Sequence, residues 1–132
     1  MTKAQRCKGA EVKTYKDLLV WQKAIHFVTQ VYKAVKGFPQ EELYGLTSQI
    51  KRAAVSIPSN IAEGYGRKST KDYIRFLQIA MGSIFEIQTQ LEISKNLEFV
   101  SESGFGELYE YSREIERMLS SMINKVTESN HL

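Results

Sequence analysis

The chain has 132 residues, of which 42% are hydrophobic and 25% charged, a composition that fits one globular domain and excludes a disordered chain. Its eight glycines and two prolines are too few for a β-sandwich with many turns and favour long helices. The single cysteine, Cys7, excludes an internal disulfide, and no apolar run reaches the roughly 20 residues that span a bilayer. We therefore expect a cytoplasmic protein with no membrane role.

The first predicted elements are a short flexible basic tail over residues 1–14 and a helix at about 17–36. Apolar residues recur in this helix at intervals of three and four, which predicts one buried face: Leu18, Trp21, Ile25, Val28, Tyr32 and Val35. Further apolar residues predict a subunit interface to which the first helix contributes most. They lie outside the predicted buried faces of the first, third and fourth helices: Leu19, Val20, Phe27, Val31, Phe85 and Met118.

Three more helices follow, predicted at about 40–64, 70–96 and 103–127. Pro39 and the acidic residues after it favour the start of the second helix, and Pro58 inside it predicts a kink. Ser69 is a predicted N-cap for the third helix. Short links between four amphipathic helices predict an all-α fold, an up-down-up-down antiparallel four-helix bundle over residues 15–127 that follows the short basic N-terminal tail.

The sequence contains none of the common enzymatic motifs. The paired Glu-x-x-His of di-metal bundles, a phosphate-binding loop and a Gly-x-Ser-x-Gly elbow are all missing. We expect no catalytic residue, no metal, no cofactor and no small-molecule substrate. An enzyme would need a site assembled across subunits from Arg52, Glu63 and Glu86.

Polar residues form a stripe along the second helix. The residues of this stripe are spaced four, four and three apart: Arg52, Ser56, Asn60 and Glu63. Glu86 on the third helix can join them. We predict a structural polar network that sets the helix register, with a functional groove as the alternative.

Basic charge is concentrated in residues 51–75, which hold six basic and two acidic residues, whereas residues 76–132 hold four basic and nine acidic ones. Tyr65 and Tyr73 lie among these cations. Cations with interleaved aromatic residues are typical of phosphate contact and base stacking. The predicted nucleic-acid contacts are Lys51, Arg52, Arg67, Lys68, Lys71 and Arg75. A solvated helix junction would give the same pattern.

Four stretches of sequence occur in an order that is characteristic of one family: 19–24, 38–46, 52–64 and 76–83. Through them, residues 15–126 resemble the bacterial four-helix-bundle proteins named from open reading frames in 23S ribosomal RNA intervening sequences. The resemblance implies a four-helix bundle that assembles as a ring-like homopentamer, without an assigned enzymatic activity. The chain is also similar, more distantly, to accessory proteins of diversity-generating retroelements, which bind nucleic acid.

Two functions follow from the residues and the resemblance together. The first is a non-catalytic homo-oligomer that binds nucleic acid, with RNA favoured over DNA, through basic surfaces. The second is an assembly or adaptor protein that binds another protein and has no nucleic-acid role. Steep salt dependence of binding would distinguish the first from the second, because phosphate contacts release counterions.

Overall fold

The computed structural model of the protein describes residues 11–130, so the predictions for Cys7 and for residues 1–10 of the tail lie outside the described residues. Two one-turn 3₁₀ helices, Tyr15–Asp17 and Gln40–Glu42, precede the first and second α-helices. The α-helices are α1 (Leu19–Val35), α2 (Leu46–Tyr65), α3 (Thr70–Asn96) and α4 (Glu102–Asn130). Residues 11–130 contain no strand.

The four helices pack as a bundle in chain order. Contacts join α1 to α2, α2 to α3, α3 to α4 and α4 back to α1, and the contact between α2 and α3 is the most extensive. The links after α2 and α3 are four and five residues long, which makes the helices they join antiparallel neighbours. The all-α bundle predicted from the sequence is confirmed.

Residues 13–17 form an ordered cap where the sequence predicts the end of the tail and the start of the first helix. The Asp17 carboxylate accepts hydrogen bonds from the backbone N–H groups of Lys13, at 2.9 Å, and Thr14, at 3.2 Å. These two bonds, the first above all, lower the pKa of Asp17. Helix α1 consequently begins at Leu19, after this cap.

The core lies between the inner faces of all four helices. Helix α3 contributes apolar side chains that include Leu77, Ile84 and Leu91, and it also buries the polar residues Ser83, Gln90 and Ser94. Helix α4 contributes Leu108, Ile115, Leu119 and Met122. None of the helices described offers a segment apolar enough to cross a membrane.

The predicted buried face of α1 is wrong over most of its length. Ile25 and Tyr32 are 41% and 39% exposed, and Trp21 and Val28 are only half-buried. The predicted face and the observed face share only their ends, Leu18 and Val35. Between these ends, the side chains that enter the core form a stripe rotated around the helix axis: Val20, Ala24, Phe27 and Val31. Both stripes have helical spacing, and contact with α4, where Phe27 stacks on Tyr111 at 5.8 Å, selects the second.

Helix α2 begins six residues later than the sequence predicts. Gly45, with φ −113° and ψ −113°, separates it from the 3₁₀ helix at Gln40–Glu42. The Glu42 carboxylate caps α2 by accepting a hydrogen bond from the Leu46 N–H at 3.2 Å. The helix then continues through the buried Pro58 to Tyr65.

Candidate nucleic-acid interface

The six cations predicted to contact nucleic acid lie in two places. Lys51 and Arg52 are in the second turn of α2, whereas the other four surround the link between α2 and α3. At 1.5 Å per residue, Lys51 and Tyr65 are about 20 Å apart along the α2 axis. The structure therefore does not bring the six side chains into one patch. We call the second group the turn cluster: Arg67, Lys68, Lys71 and Arg75.

Local sequence builds the turn that carries this cluster. Gly66 ends α2, and the Ser69 hydroxyl begins α3 by accepting a hydrogen bond from the Asp72 N–H at 3.0 Å. Gly64, in the last turn of α2, is buried against α3, where a β-carbon would lie 2.7 Å from Cβ of Phe76. The absence of a side chain at position 64 thus allows the two helix ends to approach closely.

The two arginines of the turn cluster are held on an aromatic ring. The guanidinium carbon of Arg67 lies 4.7 Å from the centroid of Phe76, and that of Arg75 lies 4.6 Å from the same centroid. Arg67 also donates to Glu63 at 2.8 Å, and Arg75 lies 3.8 Å from Asp72. These contacts position both arginines, and both remain exposed to solvent.

The two lysines of the turn cluster are exposed and form no ion pair with any residue in 11–130. Lys68 lies in the link itself and Lys71 in the first turn of α3. Within the cluster, these two ammonium groups are the cations without an acidic partner among residues 11–130. A phosphate at this turn could reach them without displacing an existing partner.

The tyrosines between these cations pack the turn and do not form a stacking platform. Tyr65 and Tyr73 meet edge to face, with centroids 6.2 Å apart, and both pack against the core. The Tyr73 hydroxyl is buried and has no hydrogen-bond partner among the described residues. Burial, and next to it the neighbouring Tyr65, raises the pKa of Tyr73. A base could not stack on Tyr73 without disturbing the core.

The predicted polar network is divided into separate contacts. Ser83 donates to the Ser56 hydroxyl at 2.8 Å across the α2–α3 interface, and Asn60 donates to the same hydroxyl at 2.9 Å. The stripe predicted from the sequence does not include Ser83, although its position on the inner face of α3 indicates such a contact. Glu63 faces outward toward Arg67, and Glu86 accepts from Gln90 at 3.2 Å on α3. Arg52 is exposed and joins neither contact.

Lys51 and Arg52 border an open groove of about 510 Å³, here called the Tyr44 groove. Tyr44 is 93% exposed, and the Lys51 ammonium lies 5.0 Å from the centroid of Tyr32. The apolar period predicted Tyr32 as part of the buried face of α1, and nothing in the sequence pointed to Tyr44, because an exposed aromatic residue beside a helix start has no characteristic pattern. The groove is lined by Tyr32, Leu43, Tyr44, Ser48, Lys51, Arg52 and Val55.

A second groove, of about 390 Å³, runs between α1 and α2 and is here called the α1–α2 groove. Its α1 wall is the stripe that the apolar period wrongly predicts as core, including Trp21, Ile25 and Val28. Its α2 wall includes Val55, Pro58 and Ala62. Residues 11–130 contain no cluster of three histidine, cysteine or acidic side chains placed to bind a metal ion.

Comparison with known proteins assigns the family. The family model described as 23S rRNA-intervening sequence protein matches residues 16–121. No curated protein matches the chain. A solved structure from Bacteroides thetaiotaomicron VPI-5482, a protein of unknown function from the S23 ribosomal protein family, is similar with a TM-score of 0.75 and 26% identity over 80% of this chain and 98% of the other. The chain belongs to the 23S rRNA-intervening sequence protein family.

Proposed function

We propose that this chain is a non-catalytic cytoplasmic protein that self-associates and binds nucleic acid, with RNA favoured over DNA. The observation that carries the proposal is the turn cluster, in which four exposed cations lie within nine residues of chain. Two of them are positioned on Phe76 and two have no acidic partner among the described residues. The family description names an intervening sequence of 23S rRNA and no ligand, so the preference for RNA over DNA is tested directly by the titration below.

The chemistry of the cluster suits phosphate groups. Guanidinium groups donate several hydrogen bonds in a fixed plane, and lysine ammonium groups add mobile positive charge. Glu63 and Asp72 neutralise part of this charge, which leaves Lys68 and Lys71 as the main attraction. One cluster alone binds weakly, but several copies on one particle would bind a long polyanion much more tightly.

The first test is a salt-series titration, by fluorescence anisotropy, of the protein against a labelled RNA hairpin and a labelled single-stranded DNA. We expect the logarithm of the binding constant to fall steeply with the logarithm of salt concentration. Replacing Lys68 and Lys71 by glutamine should reduce this slope by about 1.4 to 1.8, since each phosphate contact contributes ~0.7 to 0.9. Replacing Arg67 as well should weaken binding further.

The matched control removes two cations from the acidic helix α4, at Arg117 and Lys125. This Arg117→Gln/Lys125→Gln variant loses the same formal charge but keeps the turn cluster intact. We expect its salt slope to change by much less than that of the turn variant. Equal effects would mean that net charge, and not this surface, governs binding, and no binding at low salt would reject the proposal.

Self-association through the α1–α2 groove is the second part of the proposal. The groove exposes apolar side chains, among them Ile25 at 41% and the half-buried Trp21 and Val28, that a second copy would cover. The homopentamer implied by the resemblance is the expected assembly. Ile25→Asp should reduce the molar mass in light scattering while the helical circular dichroism remains. An unchanged mass would place the interface elsewhere.

An adaptor role is the alternative function, and one observation favours it. Helix α3 exposes apolar side chains that do not line the α1–α2 groove, including Phe85 at 49% and Ile93 at 43%. Such residues suit a protein partner. A pull-down with and without RNase separates the two functions. Partners that disappear with RNase would argue against the adaptor role.

A further inference from the structure

We propose that the Tyr44 groove is a binding site for an unpaired nucleotide, with the base stacked on Tyr44 and its phosphate beside Arg52 and Lys51. This assignment rests on the nucleic-acid function proposed above. It adds a second contact surface to the turn cluster, at the other end of α2. It also narrows the ligand class to nucleic acid that has single-stranded segments.

Tyr44 is presented on an ordered turn. On its N-terminal side, the Leu43 N–H donates to the Gln40 carbonyl at 3.1 Å. On its C-terminal side, the Gly45 N–H donates to the Glu42 carbonyl at 3.0 Å, and the Glu42 carboxylate caps α2. The backbone around the ring is therefore restrained, while 93% of the residue surface faces solvent. Stacking on a ligand would therefore order the side-chain torsions of Tyr44 but not its backbone.

The charges at the groove favour a polyanion over an apolar partner. Arg52 is exposed and Lys51 half-buried, and neither forms an ion pair with another residue of the described chain. The ammonium of Lys51 rests on Tyr32, which holds it at the groove. The lining contains no carboxylate. The preceding turn holds Glu41 and Glu42, of which Glu42 is directed to the backbone of Leu46.

The remaining lining residues match the other parts of a nucleotide. Ser48 supplies a hydroxyl that can donate to or accept from a sugar or base edge. Leu43 and Val55 supply apolar surface beside the ring. A base in a duplex is stacked between its neighbours and cannot reach Tyr44, whereas an unpaired base presents both faces. The combination of one free ring and two cations therefore selects single strands.

The test compares two probes against the full chain at one salt concentration: a labelled RNA of twelve uridines, and the same strand annealed to twelve adenosines. Tyr44→Ala should weaken binding of the single strand by about 5- to 150-fold, the range expected for one stacked base, and leave duplex binding unchanged. Tyr44→Trp should retain the affinity for the single strand. Arg52→Gln should weaken single-strand binding and lower its salt slope by about 0.7.

Phe85→Ala is the matched control, since it removes an exposed aromatic residue on α3, away from the groove. Its affinity for both probes should equal that of the unmodified protein. Equal losses for single strand and duplex in Tyr44→Ala, or no loss for either, would overturn the assignment while duplex binding still supports the proposed function. If Tyr44→Ala lowers the molar mass of the assembly and keeps its RNA affinity, the groove is a subunit interface and the assignment is overturned. Absence of binding to either probe would reject both proposals.

Discussion

Gly64 and Phe76 lie so close that a β-carbon added at position 64 would be 2.7 Å from Cβ of Phe76. The guanidinium groups of Arg67 and Arg75 lie 4.7 Å and 4.6 Å from the centroid of the same ring. One close contact between α2 and α3 therefore determines both the packing of the turn and the placement of its two arginines.

Gly64→Ala should destabilise the protein by about 1–3 kcal/mol, because Cβ of Phe76 is tied to the backbone and cannot move aside cheaply. The free energy of unfolding in urea measures this loss. We expect weaker RNA binding as well, since Phe76 positions the arginines.

Gly82→Ala is the control. A β-carbon there meets nothing within 4 Å, so it should stabilise α3 by about 0.5–1 kcal/mol. Equal effects of the two substitutions would contradict the close contact.

Tyr73→Phe should stabilise the protein by about 1 kcal/mol near pH 8, because it removes a buried hydroxyl that has no partner within residues 11–130. The gain should increase above pH 10. Burial raises the pKa of Tyr73 above its ordinary value of 10.0, so the folded protein keeps the proton that the unfolded chain releases, and alkali favours unfolding. Urea denaturation of both proteins at pH 8 and pH 10.5 measures this. An unchanged difference between the two pH values would show that Tyr73 ionises normally when folded.

Glu98→Gly should stabilise the protein by about 1 kcal/mol. Glu98 has φ 62° and follows α3, where its N–H donates to the Lys95 carbonyl and that of Phe99 donates to the Ser94 carbonyl. This is the Schellman arrangement, which favours glycine because a β-carbon is strained in the left-handed region. Thermal unfolding with Glu98→Ala as the control separates backbone strain from loss of the carboxylate. Only the glycine variant should raise Tm.

Phe27→Ala should cost about 3–5 kcal/mol, because Phe27 is fully buried and stacks on Tyr111. Ile25→Ala, two residues earlier and 41% exposed, should cost about 1 kcal/mol or less. Urea denaturation of the two variants reports which stripe of α1 faces the core. A larger loss from Ile25 would restore the face that the apolar period predicts.

Parts of the candidate site depend on the tertiary structure and do not follow from the sequence. The basic segment 51–75 is evident from the sequence, but its division into two places about 20 Å apart depends on where α2 begins and ends. Tyr73 lies among cations in the sequence and packs against the core in the structure. No pattern in the sequence distinguishes Tyr44. Its exposure and its position in the same groove as Arg52 are visible only in the tertiary structure.

Local physical chemistry is sufficient for the fold class of this protein, whereas its family is recognised from the sequence stretches that it shares with other members. Helical periodicity, the Ser69 cap and the short links depend on residues close in sequence, and together they specify four antiparallel helices. The rotation of α1 about its own axis, by contrast, depends on packing against other helices. Its two apolar stripes satisfy the same helical period, so their local energies differ little, and packing against α2 and α4 selects the stripe that contains Phe27. The rejected stripe remains at the surface beside α2, where it forms the α1–α2 groove.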